Sequence, residues 1–452
     1  MVLATERARP AWIRAWPQAW KLAVATVCFG AFMGQLDASI VTLTYRPVEQ
    51  AFRVGPAAVQ WVSLSYLIAL VALLAPIGRR SDQKGRKLSY LHGFLIFSAG
   101  SALCGMAPDL GLLIGARVVQ GVGAAFLQAN SVALVTNAAP SHRMRSALGV
   151  QAAAQALGLA LGPTVGGLIV STLGWRWVFA INVPVGLVAV IAGIFFLPRT
   201  SARAEPGPSN VGGSLLIGGC ATTFLLALSS MSGLHVPAWA PVLLIGVALA
   251  CGWALVGSER RSTRPLLRPI LSIRGMPGGL LAAMCGYVVL FGPLVLVPAV
   301  LEAQGFSSWK AGLILTALPA GFAVAATVAG ALLPRHWGDR RRATAGTSLA
   351  AASLAAALFL PLRPGWVVLA LAGVGLGLGV FAPANNASIM RSVPASDSAT
   401  AGGVINMTRG LGTAVGISVV TLTLHLAGAR LSIGALLAVA LLGLVGVGAS
   451  VP

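Results

Sequence analysis

Acidic side chains are scarce in this chain, with 10 Asp and Glu against 31 Lys and Arg in 452 residues. Charged residues of both signs make up only 9% of the sequence, where soluble domains carry about 25%, and this excludes an ordinary water-soluble globule. Cysteine is scarce too. Cys28, Cys104, Cys220, Cys251 and Cys285 all fall inside apolar runs with no Cys-x-x-Cys spacing, so they read as small buried hydrophobes, not as disulfides or metal ligands. The five histidines, His92, His142, His235, His336 and His425, are dispersed. No Ser/His/Asp set, metal-binding cluster or Walker loop accompanies them, so neither an enzyme nor a cofactor is expected and no ATP site supplies energy. A net charge of +21 could suggest nucleic acid, but no basic block interleaved with aromatics is present.

What the chain has is apolar length. It is 57% hydrophobic, with a mean hydropathy of +0.87 and 55 glycines. Apolar runs of 18 or more residues suffice to cross a bilayer, and about fourteen can be read. They lie near 21–44, 58–78, 88–106, 110–135, 146–171, 176–197, 211–231, 238–257, 277–300, 310–333, 343–362, 365–388, 399–424 and 431–451. An even number puts both termini on one side. Most Lys and Arg fall in alternate connections, above all 78–87, 257–275 and 334–342, and the positive-inside rule makes that side cytoplasmic. The first residues, with Arg7, Arg9 and Arg14 ahead of a full-length span, lack the pattern of a cleaved signal. The expectation is a multi-pass protein of the cell membrane, monomeric, with lipid as its surroundings and both termini cytoplasmic.

The two longest cytoplasmic connections are 198–210, polar and rich in Pro and Ser, and 257–275, basic with Pro265 and Pro269. The spans between them hold no Asp, Glu, Lys or Arg. This predicts an all-α membrane protein with a tail at 1–20, a six-helix bundle at 21–197, a linker with two inserted spans at 198–275, and a second six-helix bundle at 276–452. The connections 78–87 and 334–342 each cluster Gly, Asp and Arg, a faint repeat. Parallel halves of six helices are one established transporter plan, with the substrate between them near the midplane.

Asp37 is the one acidic residue that this placement puts well inside a span. A carboxylate there costs about 2.5–3.5 kcal/mol on insertion scales, so it is kept where it faces a cavity or a partner. Arg117 lies at a similar depth in the fourth span, both roughly 10–12 Å from the outer surface at 1.5 Å per residue. A guanidinium close by favours the ionised carboxylate and desolvation favours the neutral one, so a change in their separation would switch proton affinity. Arg117 could instead tie down backbone carbonyls.

Four motifs of the first half, taken in order, resemble the major facilitator superfamily. Gly78-Arg79-Arg80-Ser81-Asp82-Gln83-Lys84-Gly85-Arg86-Lys87 is similar to that family's loop between its second and third spans. Leu113, Arg117, Gln120, Gly121, Gly123 and Ala125 match its fourth-span pattern. Gly158, Gly162, Pro163, Gly166 and Gly167 resemble its fifth-span antiporter motif. Trp175-Arg176-Trp177, Phe179, Asn182, Pro184 and Gly186, together with Leu36-Asp37-x-Ser39-Ile40-Val41, resemble the fourteen-span drug:proton antiporter branch. In the second half Asn406, Arg409 and Gly412 are the best match. Departures from the pattern are Arg80, Gln83, Thr42 and the late Pro47, and the tenth span carries no carboxylate.

The resemblance implies alternating access, with Gly78, Asp82, Gly85, Arg86 and Lys87 forming a conformational latch. Physically, Asp82 can serve charge pairs or the positive end of a neighbouring helix. Gly158, Gly162 and Gly166 share one helix face suited to close packing, and Pro163 should kink that span. Residues expected to line the cavity are Gln35, Trp61, Tyr66, Gln120, Gln128, Asn130, Gln151 and Gln155 in the first half, with Asn385, Asn386, Asn406 and Arg409 in the second. Aromatic rings with a polar tip suit bulky amphipathic ligands. Interhelical hydrogen bonding is the alternative for each of these. The resulting expectation is a proton-coupled antiporter that exports small amphipathic cations or neutral compounds, of the antibiotic-resistance type, with Asp37 as proton site. A dedicated exporter of one endogenous metabolite or natural product is the alternative, and a non-transporting receptor or scaffold a distant third.

Overall fold

A computed structural model gives the architecture of the chain, describing all residues except 1–5, 7, 201–203, 205–210, 232–236, 238, 263–264, 335 and 451–452. Among the described residues there is no strand. Long helices account for nearly everything, as they must where lipid offers no partner to a backbone amide. The first half comprises α1 (Ala19–Ile40), α2 (Pro56–Lys84), α3 (Arg86–Met106), α4 (Leu110–Ala138), α5 (Met144–Thr172) and α6, which runs as Arg176–Ala180 and Asn182–Phe196. Next come α7 (Val211–Met231) and α8 (Ala240–Arg261). The second half comprises α9 (Met276–Ala303), α10 (Ser308–Leu315 and Ala317–Leu332), α11 (Asp339–Phe359), α12 (Pro364–Ser392) and the run Ser398–Ala449. That run breaks at Ala427 and Gly428, whose φ values of −150° and 76° are not helical; α13 denotes the part before the break and α14 the part after. Among the described residues, eleven helices are long and apolar enough to cross a membrane.

Each half packs as a bundle: α1 on α5, α4 between α2 and α3, and α6 on α3 in the first; α9 on the α13–α14 run, and α12 on α10 and α11 in the second. The halves meet along α2, α4 and α5 on one side and α10, α12 and α13 on the other. Both bundles are therefore oriented alike. One end of the molecule carries the connections after α2, α4, α6, α8, α10 and α12 and is called the basic end here; the opposite one is the far end.

Two sequence expectations need correction. Residues 78–87 do not form a loop. The α2 helix continues to Lys84 and α3 starts at Arg86, leaving Gly85 as the only non-helical residue, at φ 114°. The extension is held because Ser81 and Asp82 are fully buried. The connection 257–275 likewise begins with helix, since α8 runs to Arg261. Its Glu259 turns back to accept hydrogen bonds from the amides of Leu266, Leu267 and Arg268 at 2.8–2.9 Å.

The α7 helix lies across the seam between halves. Its Ala221 and Leu225 pack with Val71 of α2 and against Leu411 and Ala414 of α13. The α8 helix leans on α7 and leaves a broad apolar face uncovered, including Val242, Leu249 and Trp253.

Candidate functional site

Asp37 sits three residues before α1 ends, where the helix tightens into a 3-10 turn at Val41–Thr44. It is 1% exposed. The α5 glycines let α1 come close: added Cβ atoms at Gly158, Gly162 and Gly166 would strike the Phe32 carbonyl, Ser39 Oγ and Ile40 respectively. Gly167 faces open space, and the Pro163 side chain lies outside the described residues.

Two helices, α4 and α6, aim polar groups at this carboxylate. Arg117 Nη1 donates to Asp37 Oδ2 at 2.8 Å. Gln120 Nε2 and Asn182 Nδ2 both donate to Oδ1 at 2.9 Å. Gln120 also donates to Ser101 Oγ at 2.8 Å. Arg117 in turn donates through Nη1 to Gln120 Oε1 at 2.5 Å and through Nε to the Val62 carbonyl at 2.9 Å. Its guanidinium lies 4.3 Å over the Tyr66 ring and 5.7 Å from that of Phe179. The α4 helix that carries Arg117 is started by Asp109, whose carboxylate caps the Leu112 amide at 2.8 Å. Both charges are thus removed from water, paired and hydrogen-bonded, the condition under which burial of ions is tolerated. Three donors occupy three of the roughly four acceptor sites of a carboxylate.

A second cluster closes the basic end. Asp82 is fully buried and accepts from the backbone amides of Ala399 and Thr400 at 2.9 and 2.7 Å, and from Thr400 Oγ1 at 2.6 Å. A carboxylate thus caps the start of α13, where the helix dipole is positive. Arg86 pairs with Asp82 at 2.7 Å and reaches the Ala395 carbonyl. Arg79 pairs with Asp397 at 2.8 Å. Gly78 permits this approach, since a Cβ there would lie 2.9 Å from Thr400 Cα. Gly85 makes room for the Glu6 carboxylate, and Lys87 Nζ caps the end of α6 through the carbonyls of Ile194 and Leu197. On the other side of the interface Asp339 bridges Arg145 of α5, at 2.5 Å, and Arg391 of α12.

The remaining sequence-selected residues divide. Tyr66 and Gln120 belong to the Asp37 cluster. Asn130 donates to Ser81 Oγ and to the Phe126 carbonyl, and Asn385 to the Gly279 carbonyl, so both tie helices together. Asn406 donates to the Gln128 carbonyl across the interface at 2.7 Å and accepts from Arg409 at 2.9 Å. Gln151, Gln155 and Asn386 are buried, Gln35 is half-buried and Trp61 is 36% exposed near the far end of α2. Sequence reasoning missed Ser101 and did not assign Asn182 to the site. The available signal was a polar residue inside an apolar span at the depth of Asp37. It also missed Asp339 as a bridge.

Two helical bundles, one with a buried polar cluster, thus meet along a seam closed at the basic end. The Major Facilitator Superfamily model matches residues 27–417. The riboflavin transporter RibZ of Clostridioides difficile is 31% identical over 405 residues, covering 88% of this chain and 87% of that protein. The methylenomycin A resistance protein of Streptomyces coelicolor is 31% identical over 414 residues, covering 89% and 85%. The tetracenomycin C resistance and export protein of Streptomyces glaucescens is 30% identical over 422 residues, covering 90% and 75%. Among solved structures, the human organic anion transporter MFSD10 superposes with a TM-score of 0.70 at 16% identity, covering 95% of this chain and 99% of that one. The proton:xylose symporter XylE gives 0.66 at 14%, covering 95% and 94%. The chain belongs to the Major Facilitator Superfamily: it is a multi-pass membrane transporter for small molecules and not an enzyme.

Proposed function

We propose that this transporter is a proton-coupled antiporter of the fourteen-span branch, exporting small amphipathic compounds across the plasma membrane with both termini cytoplasmic. Residues 21–197 and 276–452 act as the two moving halves, working as a monomer, and 198–275 is the inserted linker. The observation that carries the reading is the buried Asp37–Arg117 pair with its three-donor shell. A lone ion pair at that depth is costly to keep unless it is used. With the basic end taken as cytoplasmic, the clusters around Asp82 and Asp339 hold the inner side shut. A proton reaching Asp37 from outside would release Arg117 and loosen α1 against α4. Opening of the inner side would then let the proton leave as cargo enters.

The relatives named for methylenomycin A and tetracenomycin C favour resistance-type export, whereas the one named for riboflavin keeps a dedicated carrier of one metabolite as the second reading. Reconstituted vesicles with an imposed pH gradient and a compound panel test this. Asp37→Asn should abolish gradient-driven movement while leaving cargo binding; undiminished pH-driven efflux by that variant would overturn the proton assignment. A response to one compound alone would favour the dedicated carrier.

A further inference from the structure

The chain holds a second buried arginine whose surroundings differ from those of Arg117. Arg409 lies on α13 about 16 Å from the start of that helix, hence near the middle of the membrane. It is 5% exposed. Its Nη1 donates to Asn406 Oδ1 at 2.9 Å and its guanidinium sits 5.3 Å from the Tyr287 ring on α9. Nε is buried without a hydrogen-bond partner, and no described carboxylate pairs with the side chain. Tyr287 stacks on Phe291 with ring centroids 5.9 Å apart. Tyr287, Phe291 and Gln128 are each half-buried. Asn406 also holds the Gln128 carbonyl of α4, so the arginine stands where the two halves meet.

An unneutralised guanidinium at mid-membrane costs about 2.5–3.5 kcal/mol on insertion scales, and an unmade buried hydrogen bond adds to that. The half-buried aromatic stack beside it offers a flat apolar surface. A planar molecule laid on that stack, with a negative oxygen at its edge, would supply what Arg409 lacks. A carboxylate can take Nε and a terminal nitrogen together, in the fork geometry that arginine matches. We propose that Arg409, Tyr287 and Phe291 form a cargo site selective for planar organic anions, carboxylates or enolates on an aromatic frame. This rests on the transporter reading above and narrows it: amphipathic cations, a class the sequence suggested, are disfavoured by the same charge.

The test uses the full-length purified protein and three probes of one shape: naphthalene-2-carboxylate, naphthalene-2-carboxamide and a naphthyl trimethylammonium. Equilibrium binding separates this proposal from proton coupling, because it needs no gradient. The carboxylate should bind at least tenfold more tightly than the ammonium. Arg409→Gln should lower carboxylate affinity at least tenfold while changing carboxamide affinity less than twofold, which also reports that the variant is folded. Arg409→Lys should recover part of the preference, which a purely structural role would not predict. Chloride and inorganic phosphate, added as competitors, should not displace the carboxylate at equal concentration; displacement would show a site for simple anions and overturn the aromatic part. Absence of carboxylate preference in the unmodified protein, including absence of carboxylate binding, or an unchanged preference in Arg409→Gln, overturns the proposal. Loss of pH-driven transport in Asp37→Asn leaves it standing.

Discussion

The far ends of the two halves occupy equivalent places in the repeat and are built from opposite materials. In the first half, α1, α3, α4 and α6 bring Asp37, Ser101, Arg117, Gln120 and Asn182 together. In the second half the corresponding helices α9, α11, α12 and α14 enclose a cavity of about 50 Å³ lined by Pro293, Leu296, Leu354, Val374, Ile433 and other apolar residues. One half spends its interior on a charge pair and the other on aliphatic packing. The difference teaches that the fold does not require polar groups at this level. A bundle of the same plan closes without them, which supports the proposed use of the Asp37 cluster in transport.

That contrast can be broken first from the charged side. Arg117→Ala leaves a buried carboxylate unpaired, and the loss should be about 3–5 kcal/mol, read as a lower unfolding temperature in detergent. The double change Asp37→Asn with Arg117→Gln removes both charges and should regain most of that stability, yet show no pH-driven transport. Placing a carboxylate in the apolar cavity, by Leu296→Asp, should cost about 2.5–3.5 kcal/mol because nothing there can pair with it; a neutral outcome would mean that the cavity admits water.

A smaller effect compares the two clusters at the basic end. Asp82→Asn removes a fully buried charge from the start of α13 and should weaken closure by about 1–2 kcal/mol. Labelling of single cysteines placed between the halves near that end should rise accordingly. Asp339→Asn should shift the same labelling less, by about 0–1 kcal/mol, since its partners Arg145 and Arg391 are 26% and 46% exposed in their side chains. Equal responses would mean that the two clusters share the load evenly. Last, adding a methyl at Ala357 to fill the cavity wall should change stability by less than about 1 kcal/mol.

The helical, two-bundle plan was legible because membrane spans announce themselves by length and apolarity, and the basic connections by charge. Asp37 and Arg117 were legible for the converse reason, as charges where charge is costly. Residues 78–87 were not, because a run containing Arg79, Arg80 and Asp82 reads as loop by composition. Only the three-dimensional arrangement shows that Asp82 is buried on an amide pair contributed 317 and 318 residues later in the chain. For Asn130 and Asn385 the sequence left two uses of polarity in a span open, a tie between helices and a contact with cargo, and their hydrogen bonds to Ser81 and Gly279 are of the first kind.

The placement of α7 has a mechanical result. Its Ala221 and Leu225 touch α2 on one flank and α13 on the other, so it spans the crack between the bodies like a gasket. On the proposed motion of the two halves, one of those two contacts slides while the other rides along. On that proposal the sliding flank keeps lipid tails out of the aqueous path, which gives α7 a reason to be small, smooth and free of charge.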